Sequence, residues 1–280
     1  GGGTWVGTAN GVYLLKNGAY KLAVPTTELP GPNAYTILDD GTRLWIGTTN
    51  GMVQYQDGRV LHPPEFAALA GITVQGIFRD AEESMWFATL DGVFRYKDGS
   101  LTRYGMEAGL KDVRCRLIFE TRDGRILVGT LAGLYEFQAD RFQPLGAEAG
   151  LADAFITSLY ELADGTLIVG SFSEDALYIY MDGHWHTVHG AQGLPANTAT
   201  FMTLDESGDW LWVPGIRGIY RVRIADLLAV ATDKQDQLHP QLILSEQGQW
   251  TGSEKGYCCN GAGNARGYFD GTRLWVPSRN

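Results

Sequence analysis

The sequence predicts an all-β protein, a seven-bladed β-propeller built from four-stranded antiparallel blades. Three observations carry this: a unit of about forty residues recurs along the chain, each unit centres on an apolar run, and Asp-Gly or Asn-Gly pairs punctuate the runs. The segment Leu44-Trp45-Ile46-Gly47-Thr48-Thr49-Asn50-Gly51 returns as Met85-Trp86-Phe87-Ala88-Thr89-Leu90-Asp91-Gly92 and as Ile126-Leu127-Val128-Gly129-Thr130-Leu131-Ala132-Gly133. Shorter echoes follow at Leu167-Ile168-Val169-Gly170-Ser171, Leu211-Trp212-Val213-Pro214 and Leu274-Trp275-Val276-Pro277, and the chain opens on a further copy, Thr4-Trp5-Val6-Gly7-Thr8. The anchors at positions 5, 45, 86, 127, 168, 212 and 275 are separated by 40, 41, 41, 41, 44 and 63 residues, and five near-equal steps define a period. Four short strands per forty residues is the period of a propeller blade.

Within a unit, a β-branched run such as Tyr35-Thr36-Ile37-Leu38 forms the innermost strand and ends at Asp40-Gly41. The Trp strand follows, then Asn50-Gly51, a third strand at Met52-Val53-Gln54-Tyr55, Asp57-Gly58 and a short outer strand. Such pairs favour two-residue hairpins, because both central positions need positive φ. Seven anchors give six complete steps and a split piece at each end; strands before Trp275 joining those near Trp5 bring the expectation to seven blades, incompletely closed. Pro63-Pro64-Glu65-Phe66-Ala67-Ala68-Leu69 reads as a helical turn between blades. The long last step holds an inserted segment, 223–262, expected between blades, with a helical Ile224-Ala225-Asp226-Leu227-Leu228-Ala229-Val230 and a strand at Gln241-Leu242-Ile243-Leu244. Residues 1–280 therefore read as one propeller domain, and Gly1-Gly2-Gly3 running directly into a strand pattern as the start of a piece cut from a longer protein.

Composition narrows the function. Hydrophobic residues make up 44%, with eight Trp, enough to bury a core. Twenty-two basic against 32 acidic residues leave a net charge of −10, which argues against binding nucleic acid through its phosphates. The Trp anchors Trp45, Trp86 and Trp212 are expected to pack between blades as hydrophobic mass. His184 and His186 alternate onto one strand face beside His189, without the further ligand a metal site needs. Cys115, Cys258 and Cys259 are too few for a disulfide framework; a vicinal Cys258–Cys259 bridge, a bridge to Cys115 and free thiols all stay open. No nucleophile elbow or P-loop occurs, so the expectation is a binding module with no cofactor and no metal.

A ligand would sit where the chain enters the inner strands and leaves the Trp strands, since those loops converge on one face of the central channel. Residues entering the inner strands are unusually polar: Asn33, Gln75, Arg114, Arg116, Asp153, Asn197, Asn264 and Arg266, with Thr157 and Thr198 beside them. The turns after the Trp strands add Asn50, Asp91, Arg217 and Arg279. Amides and guanidiniums facing inward suit a polar small molecule or an oligosaccharide.

The unit Asp40-Gly41-Thr42-Arg43-Leu44-Trp45-Ile46-Gly47-Thr48, with linkers Gly109-Leu110, Gly150-Leu151 and Gly193-Leu194, resembles the two-component-regulator propeller repeat over essentially the whole chain. The tail Cys259-Asn260-Gly261-Ala262-Gly263-Asn264, leading into Asp270-Gly271-Thr272-Arg273-Leu274-Trp275, resembles a late element of the same propellers; Leu127 and Ile168 depart from the pattern where Trp is expected. The resemblance implies the extracytoplasmic sensor region of a bacterial membrane-anchored signalling protein, a hybrid sensor kinase or diguanylate cyclase. It implies a periplasmic location, a ligand whose binding is passed across the membrane, and compatibility with a homodimer. The alternative is a propeller enzyme, a lyase or glycoside hydrolase working at the channel.

Overall fold

The structure, a computed structural model, describes residues 3–172, 176–245, 259, 267–269 and 273–276. Among them the strands form a propeller of antiparallel sheets in which each strand pairs with its sequence neighbour. Blade one has three strands, Thr4–Thr8, Gly11–Lys16 and Ala19–Pro25. Blades two to six have four each, opening on the inner strands Ala34–Asp39, Val74–Arg79, Cys115–Glu120, Ile156–Glu161 and the two-residue Thr203–Leu204. The described residues thus make six blades, not the expected seven. Beyond blade six they add a two-stranded hairpin, Tyr268–Phe269 paired with Leu274–Trp275. Counting anchors gives one blade too many because the last anchor, Trp275, stands among the described residues in a two-stranded hairpin.

The repeat is legible in the packing. The second strands of blades two to four end in a threonine whose hydroxyl closes the following turn: Thr48 donates to the Gly51 carbonyl at 2.9 Å, Thr89 to Gly92 at 2.8 Å and Thr130 to Gly133 at 3.0 Å. The glycine before it in blades two and four, Gly47 and Gly129, leaves room for the next blade. A Cβ on Gly129 would stand 2.8 Å from the Ile156 side chain of blade five. Trp86 is fully buried and meets Phe137 of blade four edge-on at 5.0 Å, and Trp45 meets Phe66 at 5.4 Å and Phe87 of blade three at 6.2 Å. Trp212 is half-buried, with the Arg221 guanidinium 5.2 Å over its ring, so it is less enclosed than the sequence predicts. Acids at the ends of inner strands clasp the preceding blade: Glu120 accepts from the Ala81 amide at 3.0 Å, Glu161 from the Arg122 amide at 2.8 Å and Asp39 from the Trp5 indole at 3.1 Å.

The turns divide into two kinds. Asn17-Gly18, Asp57-Gly58, Asp98-Gly99 and Asp182-Gly183, joining third to fourth strands or their equivalents, have positive φ at both residues as the hairpin rule requires. At Asp40-Gly41, Asp123-Gly124 and Asp164-Gly165 only the glycine does. Pro64–Leu69 forms the expected helical turn, tight and buried through Phe66 and Leu69. The helix Ile224–Ala231 buries Leu227 and Val230 and connects the third strand of blade six, Gly218–Arg223, to its fourth, Gln241–Ser245. This part of the 223–262 insertion therefore lies inside blade six rather than between blades. Cys115 is a free, fully buried thiol whose ionisation burial pushes far up. Cys259 is disulfide-bonded, and its partner is not Cys115.

Candidate functional site at the propeller axis

Inner strands border the axis, and four of them share one irregularity. The pairing with the second strand skips a residue between Ala34 and Thr36, Val74 and Gly76, Cys115 and Leu117, and Ile156 and Ser158. Each skip is a β-bulge, which leaves one residue out of the ladder and re-aims its side chain. The bulged residues are Tyr35, Gln75, Arg116 and Thr157, one from each of blades two to five. Arg116 and Tyr35, on inner strands two blades apart, lie near enough to act on each other electrostatically.

Arg116 is the chemical centre of this ring. Burial pushes its guanidinium below its ordinary value, with Tyr35 opposing, and among the described residues it has no carboxylate partner. Its Cζ lies 5.4 Å over the Phe155 ring of blade five, and Phe155 stacks on Phe172 at 5.3 Å with planes 29° apart. Phe172 keeps 48% of its surface exposed. The Phe172 amide donates to the Phe155 carbonyl at 2.8 Å, and the same link joins Leu131 to Arg114 and Leu90 to Thr73 at 3.1 Å, so these residues rim one mouth of the channel. Gln75, only 4% exposed on the neighbouring inner strand, has its Oε1 buried with no hydrogen-bond donor among the described residues. An orphaned buried acceptor costs about 1–3 kcal/mol. The Thr157 hydroxyl donates to the Ala199 carbonyl at 2.7 Å and ties blade five to blade six.

The other expected site residues are placed differently. Asn33 is half-buried at the entry to blade two. Arg114 is exposed and held by Asp112, two residues away. Asp91 is ion-paired at 2.8 Å to Arg103 on the outer strand of its own blade, away from the axis. Asp153 sits exposed on the short turn Leu151–Asp153 and pairs with Lys111. Asn50 ties turns together, its Nδ2 donating to the Pro30 carbonyl at 3.1 Å and its carbonyl accepting from the Gly71 amide at 3.2 Å. Asn197 is buried with its amide committed, accepting from the Arg217 amide at 2.8 Å and donating to the Gly218 carbonyl at 3.1 Å. Arg217 is exposed beside it, and Thr198 is buried. Asn264, Arg266 and Arg279 lie outside the described residues. Sequence reasoning missed Tyr35, Phe155 and Phe172. Counting back ten or eleven residues from each anchor would have found Tyr35 together with Gln75, Arg116 and Thr157.

Among the described residues there is no group of three or more metal-ligating side chains, and no helix is long and apolar enough to cross a membrane. His184 and His186 lie on the outer strand of blade five. All five histidines lie on or next to outer strands or in the linkers between blades, none on an inner strand.

No family model matches the chain, and no curated protein matches it. Solved structures do. The extracellular domain of the hybrid two component system BT4673 from B. thetaiotaomicron superposes with a TM-score of 0.74 at 20% identity, covering 99% of this chain and 35% of that one. The corresponding domain of BT3049 from the same organism gives 0.66 at 19%, over 86% of this chain and 33% of that one. Virginiamycin B lyase from Staphylococcus aureus gives 0.54 at 16%, over 75% of this chain and 70% of that one. The chain thus spans about a third of the length of the two extracellular domains. The neighbours from B. thetaiotaomicron are of the kind that the two-component-regulator propeller resemblance names, and at these identities the likeness establishes a shared propeller fold.

Proposed function

We propose that this chain is the ligand-binding propeller of an extracytoplasmic sensor, in a membrane-anchored bacterial signalling protein, and that it receives a polar small molecule or oligosaccharide at the axis. The observation that carries the reading is Arg116: a partly buried guanidinium without a counter-charge among the described residues, with the orphaned amide oxygen of Gln75 on the neighbouring inner strand. Charged and polar groups left unpaired in a concave site are costly in isolation and become favourable when a ligand completes them. Tightly packed blades hold the two groups in place before binding, so little ordering cost falls on the complex. Kinship of fold with extracellular domains of two component systems supports a periplasmic location and transmission across a membrane. The fold likeness to a lyase supports an enzyme less well, because no histidine, the commonest general base, stands on an inner strand among the described residues.

Calorimetric titration of the 280-residue chain with a panel of neutral and acidic oligosaccharides tests this reading. Saturable binding that Arg116→Ala abolishes, with the added compound recovered unchanged, is expected. Turnover of a compound, or binding indifferent to Arg116→Ala, contradicts it.

A further inference from the structure

The axial residues specify more than polarity. Three groups with different demands come from consecutive blades, three to five, on the inner strands or just past the second strand. Arg116 offers guanidinium donors and a positive charge that no described carboxylate neutralises. Gln75 offers a buried acceptor lacking a donor among the described residues. Phe172 offers an aromatic face: one side lies against Phe155, and nearly half of the residue's surface remains open. Two of them are coupled structurally, since Arg116 stacks on the Phe155 that supports Phe172. Leu90 and Leu131 at the equivalent positions of blades three and four make the rim apolar next to Phe172.

Each demand removes a class of ligand. A fully hydroxylated neutral sugar leaves the guanidinium uncompensated in a partly desolvated place. A small inorganic anion leaves the aromatic face wet and the Gln75 oxygen unpaired. A flexible aliphatic acid satisfies the charge and loses the stacking. We infer, building on the reading of the axis as a receptor site, that the ligand carries a six-membered ring bearing one carboxylate and at least one hydroxyl. Arg116 holds the carboxylate through charge-assisted hydrogen bonds, Phe172 stacks against the ring, and Gln75 accepts from the hydroxyl. An aromatic acid and a sugar acid share this chemistry.

The test is calorimetric titration of the same chain with 4-hydroxybenzoate and glucuronate, beside their uncharged counterparts 4-hydroxybenzamide and methyl glucoside. At least one acid is expected to bind saturably, roughly tenfold or more tighter than its uncharged counterpart, as a hydrogen bond between charged groups adds over a neutral one. Arg116→Ala is expected to erase that preference and Arg116→Lys to retain part of it. Phe172→Ala is expected to weaken acid and amide alike, with unchanged thermal melting showing that the variants are folded. The acid that binds identifies the source. Equal affinity for charged and uncharged partners, a preference that survives Arg116→Ala, or no saturable binding of either acid overturns the inference. Binding of neutral oligosaccharides that needs Arg116, with no acid bound, overturns the inference and leaves the receptor reading standing; binding of nothing overturns both.

Discussion

Trp86 donates its indole N–H to the carboxylate of Asp80 at 2.7 Å, with Trp86 fully buried and Asp80 5% exposed. Blade two repeats the pair, Trp45 to Asp40 at 2.7 Å. In blades four and five the anchors are Leu127 and Ile168, and the acceptor's place is taken by Thr121 and Leu162, whose amides make the same backbone turn bond. Across blades two to five, tryptophan and aspartate are present together and absent together. The reason is that a buried indole N–H needs an acceptor and a buried carboxylate needs donors.

This relationship predicts a coupling. Trp86→Ala removes a fully buried ring and should cost about 3–5 kcal/mol. Asp80→Thr should cost more beside Trp86 than beside Leu at position 86. A coupling energy of about 1–3 kcal/mol is expected, the scale of a stranded buried donor. Urea melts of the four proteins in the double-mutant cycle measure it; strict additivity would show that the two side chains act independently.

Asp40 makes a prediction in pH. Burial pushes its carboxyl up, but hydrogen bonds from the Thr42 hydroxyl, the Trp45 indole and the Thr42 and Arg43 amides outweigh that and hold it well below the usual carboxylate range. In the unfolded chain an aspartate titrates near about 3.9. A folded value below the unfolded one stabilises the protein above that pH, and the contribution is lost as pH falls through the folded value. The urea midpoint should therefore fall on acidification below about pH 4. Asp40→Asn should be less stable than the parent at neutral pH, with the gap narrowing as the medium is acidified.

Blade four departs from the hairpin rule in a way that can be repaired. Its third turn places Ala139 at φ 48° and Asp140 at φ 58°, where blades two, three and five use Asp-Gly. Alanine in the left-handed region costs roughly 1–2 kcal/mol. The double substitution Ala139→Asn and Asp140→Gly should raise the melting temperature by a few degrees, about 1 kcal/mol for a chain of this size. No gain, or a loss, would show that the side chains present contribute elsewhere.

The repeat was readable because blade packing demands it. The glycine at 129, the threonines at 48, 89 and 130 and the tryptophans at 45 and 86 each answer a contact that recurs around the ring. The number of blades was harder to read, since an anchor marks a second strand whether or not the rest of its sheet is present; Trp5 and Trp275 belong to three- and two-stranded sheets. The site was legible in part for a similar reason. Arg114 and Arg116 look alike in sequence, both polar and both at the strand entry. A bulge turns Arg116 to the axis while Asp112 captures Arg114, and neither event has a signature in composition. Asn197 likewise reads as a free amide until its two backbone partners are seen.

Whether the axis is where a ligand is received can be measured directly, by chemical-shift mapping of the isotope-labelled 280-residue chain during titration with whichever acid binds. Shifts concentrated at Tyr35, Gln75, Arg116, Thr157 and Phe172 are predicted. Shifts confined to the outer strands, such as Leu242 and Ile243 on the exposed edge of blade six, would contradict it.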